Sequence, residues 1–235
     1  MKLQFPPTFP KTLINEIMQN TEPQKTHWSD KYLIPLNACN SAVRTARKYA
    51  TPQEAWEAWK QGNQMLWILL RTETDRAKSL YCLCKIVEQV LTLFTKRFPQ
   101  DKRPQNAIEA ARRCADNPSQ ANRAAAYAAA EAAEDASGVY PEAEDAEYAD
   151  DYEYTDDTAD AALAASNVAY AAAVAFDPAA TDPIVAAANA AASAAYTAAR
   201  AASSTPFWDV DDDYGAELKV QADIVREYFP MAPIP

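Results

Sequence analysis

The chain is predicted to be all-α, a multi-helix array of Ala-rich, close-packed helices carrying an acidic inserted loop. Three observations predict it. Only three glycines occur in 235 residues, whereas ordinary usage is about 7%, and hairpin turns and phosphate-cradling loops draw on glycine for positive φ. Helix start and stop signals recur along the chain, and no run alternates apolar with polar residues as a half-buried strand does. Hydrophobic residues make up 49% of the chain, much of that share alanine, so the core is expected to consist of close helix contacts rather than bulky side chains. The length suffices for a self-sufficient core, and a single α-helical domain over 1–235 is expected.

The elements follow in order. Pro35 is expected to open a helix in which Cys39, Ala42, Val43 and Ala46 form one apolar stripe at i, i+3, i+4 and i+7. Thr51-Pro52-Gln53-Glu54 offers a capping box with proline at the first helical position, and Gly62 stands where a C-terminal cap would close that helix. Asp75 to Phe98 predicts a longer helix with Leu80, Leu83, Cys84, Val87, Leu91 and Phe94 inward and Pro99 beyond its end. Asp101 and Arg103 frame a further helix start, with Pro104 in its first turn. Asp182-Pro183 repeats the start signal before a long alanine run.

Three alanine-rich segments each carry a central tyrosine, Tyr127, Tyr170 and Tyr196, at spacings of 43 and 26 residues. The excess of 17 is close to the length of an acidic stretch from Glu142 to Asp157, which is therefore expected to be an insertion in a helix-to-helix connection, about 141–160. Low complexity alone produces the same match, because Ala-rich helices look alike.

Charge divides the chain. Residues 1–123 carry 19 Lys/Arg against 11 Asp/Glu, a net of +8, and residues 124–235 carry 3 against 22, a net of −19. Such asymmetry concerns partners and solubility rather than fold. Glu142 to Asp160 contains ten carboxylates and no Lys or Arg. Candidate partner-binding residues within it are Glu144, Asp145, Glu147, Tyr148, Asp150, Asp151, Tyr152, Glu153, Tyr154, Asp156 and Asp157. Acids steer a basic partner and aromatic rings supply contact area. If helical, the segment would carry a charge about every 3 Å along its axis, close to the spacing on one DNA strand. A solvated loop that only keeps the protein soluble accounts for the same composition.

Catalytic and metal chemistry finds little to work with. One histidine, His27, stands beside Trp28 outside any paired-ligand spacing. Cys82 and Cys84 diverge by about 200° on a helix, so they do not share a metal, and burial of one with exposure of the other is expected. Cys39, Cys82, Cys84 and Cys114 lack the framework of a small secreted domain and are expected to be reduced, buried thiols. No Gly-x-Ser-x-Gly, P-loop or dinucleotide fingerprint occurs. Asp209-Val210-Asp211-Asp212-Asp213-Tyr214-Gly215 begins like a calcium loop, then places Tyr214 where glycine is needed and Val220 where the bidentate Glu belongs. An exposed acidic turn is expected there. No enzyme activity, cofactor or metal is expected. No signal-peptide core or membrane span is seen, and a cytoplasmic protein without membrane association is expected.

Several blocks carry a resemblance. Leu36-Asn37-Ala38-Cys39 with Ala42-Val43 comes first, then Glu54-Ala55-Trp56, Gly62 and Met65-Leu66-Trp67-Ile68-Leu69. Asp101-Lys102-Arg103-Pro104, Ala107-Ile108-Glu109-Ala110-Ala111-Arg112 and the ending Ile224-Val225-Arg226-Glu227-Tyr228-Phe229-Pro230 complete the series. In this order they resemble the Imm5-like immunity proteins of bacterial toxin systems, also met in phage genomes. Gln61-Gly62-Asn63-Gln64 departs from the Arg-Gly-Asp-Trp common in that family. The resemblance implies an α-helical cytosolic protein that binds and blocks a toxin, and it supplies no catalytic residue.

Three functions follow as expectations. The first is an immunity or counter-defence inhibitor that blocks a basic toxin or defence effector through the acidic segment. The second is a sponge for a nucleotide signal, holding phosphate with Arg103, Arg112, Arg113 or Arg123. The third is a DNA mimic acting on a nuclease or DNA-binding protein, with no nucleic-acid binding of its own.

Overall fold

The computed structural model describes residues 26–72, 75–138, 157–180, 182–202 and 213–234. Every regular element among them is an α-helix. The chain falls into two compact units, Met1–Ala50 and Thr51–Pro235.

The first unit contains α1 (Trp28–Tyr32) and α2 (Asn40–Ala46). His27 caps α1. Its Nε2–H donates to the Tyr49 carbonyl (3.0 Å), which the Trp28 indole also reaches (2.9 Å). Only a protonated Nε2 satisfies a carbonyl, so Nδ1 is the acceptor, 2.8 Å from Ser29 Oγ. The histidine is thus a structural pin. Pro35 does not open a helix, contrary to the sequence expectation. Asn37 adopts a left-handed φ of 59°, a conformation asparagine tolerates better than most residues, and this turn delays the helix to Asn40. Ala42, Val43 and Ala46 are buried as the stripe predicted. Cys39, now the N-cap residue, is exposed, which corrects its expected burial.

The second unit comprises α3 (Pro52–Ala58), α4 (Gly62–Arg71), α5 (Arg76–Arg97), α6 (Arg103–Asp116), α7 (Gln120–Ser137), α8 (Asp157–Ala175), α9 (Pro183–Ala202) and α10 (Asp213–Tyr228). Thr51 accepts from the Glu54 amide at the start of α3, as the capping box predicted. Gly62 does not close that helix. α3 ends at Ala58, its last carbonyls gathered by Arg226, whose guanidinium donates to Glu57 O and Trp59 O. Gly62 instead opens α4, where a Cβ would sit 2.5 Å from Gln221 Cβ and 2.8 Å from the Ala222 nitrogen. The missing side chain lets α4 lie directly on α10.

α5 follows its prediction to within a residue at each end, with Asp75 accepting from the Lys78 amide as N-cap. Cys82 and Cys84 are both fully buried, against the expectation of one exposed thiol. The reason is position: α5 packs on α6, α8, α9 and α10, so its covered face extends well beyond one stripe.

α8 is the central element. It packs on α5, α6, α7 and α9, and alanines from Ala161 to Ala175 are buried over most of its circumference, leaving a stripe of Leu163, Asn167 and Tyr170 toward solvent. So wide an apolar face belongs inside, and methyl side chains let four neighbours approach its backbone closely. Cys114 in α6 donates its thiol to the Ala172 carbonyl at 3.3 Å. Tyr127 of α7 meets Tyr170 of α8 edge to face at 5.7 Å, so two of the three tyrosine-centred segments pack as neighbours. The acidic stretch lies in the connection between these two helices. The charge boundary at Arg123 falls inside α7, and helices of the basic half (α5, α6) pack on helices of the acidic half (α8, α9).

Candidate functional site

Cross-helix contacts fix the direction of each helix in the larger unit. α5 and α6 run antiparallel, joined by Gln105 to Thr95, Arg112 to Glu88 and Tyr81 to Asp116. Asn122 in the first turn of α7 donates to Arg113 O in the last turn of α6 at 3.3 Å, and the tight turn between them sends α7 back along α6. Asp160 in the first turn of α8 pairs at 3.1 Å with Arg200 in the last turn of α9. Gln221 of α10 donates to Ala195 O of α9 at 2.8 Å. The end of α5, start of α6, end of α7, start of α8 and end of α9 therefore gather at one end of the array. Here the chain leaves α7 at Ser137 and re-enters at Asp157.

At this end lies a cavity of about 300 Å³. Its floor is apolar: Ile86, Val90 and Leu93 of α5 face Ala198, Ala201 and Ala202 of α9. Large side chains on one helix opposite methyl groups on the other leave the space. Polar groups are supplied by Asp157, Glu217, Gln89 and Gln221.

The structure places the sequence candidates as follows. Glu144, Asp145, Glu147, Tyr148, Asp150, Asp151, Tyr152, Glu153, Tyr154 and Asp156 lie outside the described residues, as do Asp209 to Asp212 of the calcium-like run. Asp157 is the first residue of α8 and lines the cavity. Asp160, the last acid of the stretch, is only 7% exposed and pairs with the more exposed Arg200 at the edge of the core.

The four arginines are each engaged. Arg103 binds Asp101 through Nε and a terminal nitrogen (3.0 and 2.6 Å), and this hydrogen bond holds the Asp101 carboxyl below the usual carboxylate range. Arg112 pairs with Glu88 at 2.6 Å, Arg113 approaches Glu109 at 3.7 Å, and Arg123 donates to Pro118 O. Arg103 begins α6 while Arg112 and Arg113 lie about 14 Å further along its axis, so they are not gathered around one anion. Among the described residues no three His, Cys, Asp or Glu side chains converge as metal ligands, and no described helix is long and apolar enough to cross a membrane.

Sequence reasoning missed Glu217, Gln221 and the α5/α9 floor. Their partners lie about 15 to 135 residues away in the chain, and the helical period alone does not pair them. Comparison with known proteins finds no matching family model, no matching curated protein and no matching solved structure.

Proposed function

We propose that the protein is a non-enzymatic immunity or counter-defence factor of the cytosol, which binds and blocks a basic toxin or defence effector through the acidic end of its larger unit. The observation that carries the reading is a convergence. The Lys- and Arg-free stretch 142–160 joins α7 to α8 at the same end of the array that holds the acid-lined cavity. The same end carries Lys96, Arg97, Lys102, Arg103 and Arg200 at its helix ends, so the acidic character rests on the stretch itself. Its ten carboxylates raise the encounter rate with a basic surface and orient it. The ordered blocks resembling Imm5-like immunity proteins, from Leu36 to Pro230, support an inhibitory role. The engagement of Arg103, Arg112, Arg113 and Arg123 by local partners favours it over phosphate capture.

The test is protection. Cells co-expressing the chain with a panel of toxin domains that have basic active-site surfaces should survive with the matching member. A variant in which 142–156 are replaced by a Gly-Ser linker should not protect. Equal protection by the linker variant, at equal expression, would reduce the acidic stretch to a solubilising loop and overturn the reading.

A further inference from the structure

The helix that opens the larger unit is held by residues from the far end of that unit. α3 (Pro52–Ala58) is seven residues long, and isolated helices shorter than about 12–15 residues are marginal in water. It also shares less packing with the other helices of its unit than they share with one another. Its order therefore depends on what else it touches.

Three hydrogen bonds tie α3 to the segment that follows α10. The Gln53 carboxamide makes two of them, donating from Nε2 to Pro230 O at 3.1 Å and accepting at Oε1 from the Ala232 amide at 2.9 Å. Trp56, only 2% exposed, donates from its indole to Phe229 O at 2.8 Å. From α10 itself, Arg226 Nε reaches Glu57 O.

The dependence also runs the other way. Residues 229–234 form no regular element, so their backbone groups have no helix or ladder of their own, and Gln53 and Trp56 supply partners for three of them. Ile234 is 7% exposed while Met231 is 68% exposed, so the segment turns back inward after Met231. Its near end is fixed to the array, because the Phe229 ring lies under the Lys78 ammonium of α5 at 4.9 Å.

We infer that α3 and residues 230–234 form a two-part clasp, a conformational unit that opens and closes as one while α4 to α10 stay packed. Each part orders the groups that the other bonds to, so release of one removes the partners of the other. The bond from Gln53 to Pro230 is exposed and open to competition from water. Such a unit belongs to the low-stability end of a molecule, where local opening costs less than global unfolding. Opening bares Trp56 and Ile234 together, an apolar surface that the closed form hides. The clasp does not depend on the acidic end or on its binding a toxin.

Amide hydrogen exchange of the full chain, read residue by residue by NMR, tests the coupling. The amides of Ala55 to Ala58 report on α3, the Ala232 amide reports on the segment, and those of Ala165 to Ala172 in α8 are the reference. Both reporters should exchange faster than the reference by about a hundredfold or more. Gln53→Ala should speed exchange in α3 by roughly two- to tenfold and leave α8 unchanged. Alanine has the higher helix propensity, so a self-sufficient α3 would be slowed or unaffected instead. Ile234→Ala leaves every residue of α3 in place, and should speed exchange at both reporters together. Unchanged or slowed α3 exchange in either variant would overturn the clasp. Protection of α3 equal to that of α8, or equal acceleration of α8 in the variants, would overturn it too, since α3 would then open only with the whole unit.

Discussion

Burial separates the four thiols. Cys82 and Cys84 are removed from water on α5, and burial pushes both thiols up to about 12. Cys114 is also buried and raised for the same reason, with its proton directed to Ala172 O. Cys39 is exposed at the N-cap of α2. Because the thiolate is the nucleophile, iodoacetamide at pH 8 should label Cys39 rapidly in the native protein and the other three only after denaturation, as read by intact mass. Rapid native labelling of Cys82 or Cys84 would contradict the packing of α5. Asp101 gives a pH prediction. Its carboxyl is held low by the Arg103 hydrogen bond, so its contribution is fully present above about pH 4, where the unfolded carboxyl is already ionised, and is lost as pH falls through the lower folded value. Asp101→Asn keeps the oxygen that accepts from the Arg103 amide and removes the charge. It should lower stability at pH 7 by about 0.2–1 kcal/mol and flatten the acid limb of a denaturation profile.

At the scale of elements, the sequence signals for helix starts were local and correct where they rested on a side chain reaching its own backbone. Thr51, Asp75 and Asp182 each accept from an amide three residues on. Signals for helix ends were less transferable, because an end is set by whatever satisfies its free carbonyls. For α3 that is Arg226, about 170 residues away, and Gly62 is left to serve a packing contact. Gly62→Ala tests this directly. Intrinsic propensity favours alanine in a helix by about 1 kcal/mol, but its Cβ would meet the α10 backbone at 2.8 Å, which a side-chain rotation does not relieve. We expect net destabilisation of about 1–3 kcal/mol from overpacking, seen as a lower denaturation midpoint. A raised midpoint would show that α4 and α10 lie further apart.

At the scale of the whole molecule, the acidic connection and the scaffold are expected to separate in experiment. Replacing 142–156 by a Gly-Ser linker should leave helicity and Tm nearly unchanged, because α7 and α8 are held by their own contacts. Changing Asp150, Asp151, Asp156 and Asp157 to Asn should slow association with the partner more than it speeds dissociation. The effect should fade as the Debye length falls from about 10 Å at 0.1 M salt to about 3 Å at 1 M. Tyr152→Ala and Tyr154→Ala should act chiefly on dissociation. Stopped-flow association rates against salt check all three, and a salt-independent rate would show that steering by this segment is absent.

By itself the sequence determined the helical class, the starts of α3, α5, α6 and α9, and the concentration of acid between two packed helices. These follow from period, capping chemistry and composition, all of which act within a few residues. The core that composition led one to expect, close contacts rather than bulky side chains, holds for α8 and α9 but not for α3 to α5, which bury Trp56, Met65, Leu66, Leu83 and Phe94. Only the tertiary structure decided which faces are covered. α8 is so rich in alanine that its few polar residues mark no clear buried face in sequence, yet it packs on α5, α6, α7 and α9 and leaves only a stripe of Leu163, Asn167 and Tyr170 toward solvent. The same arrangement buried both Cys82 and Cys84, turned Asp160 inward to Arg200, and assembled a cavity from α5, α8, α9 and α10. Long-range packing brings together side chains distant in the chain, and the free energy of that packing depends on neighbours that no local pattern names.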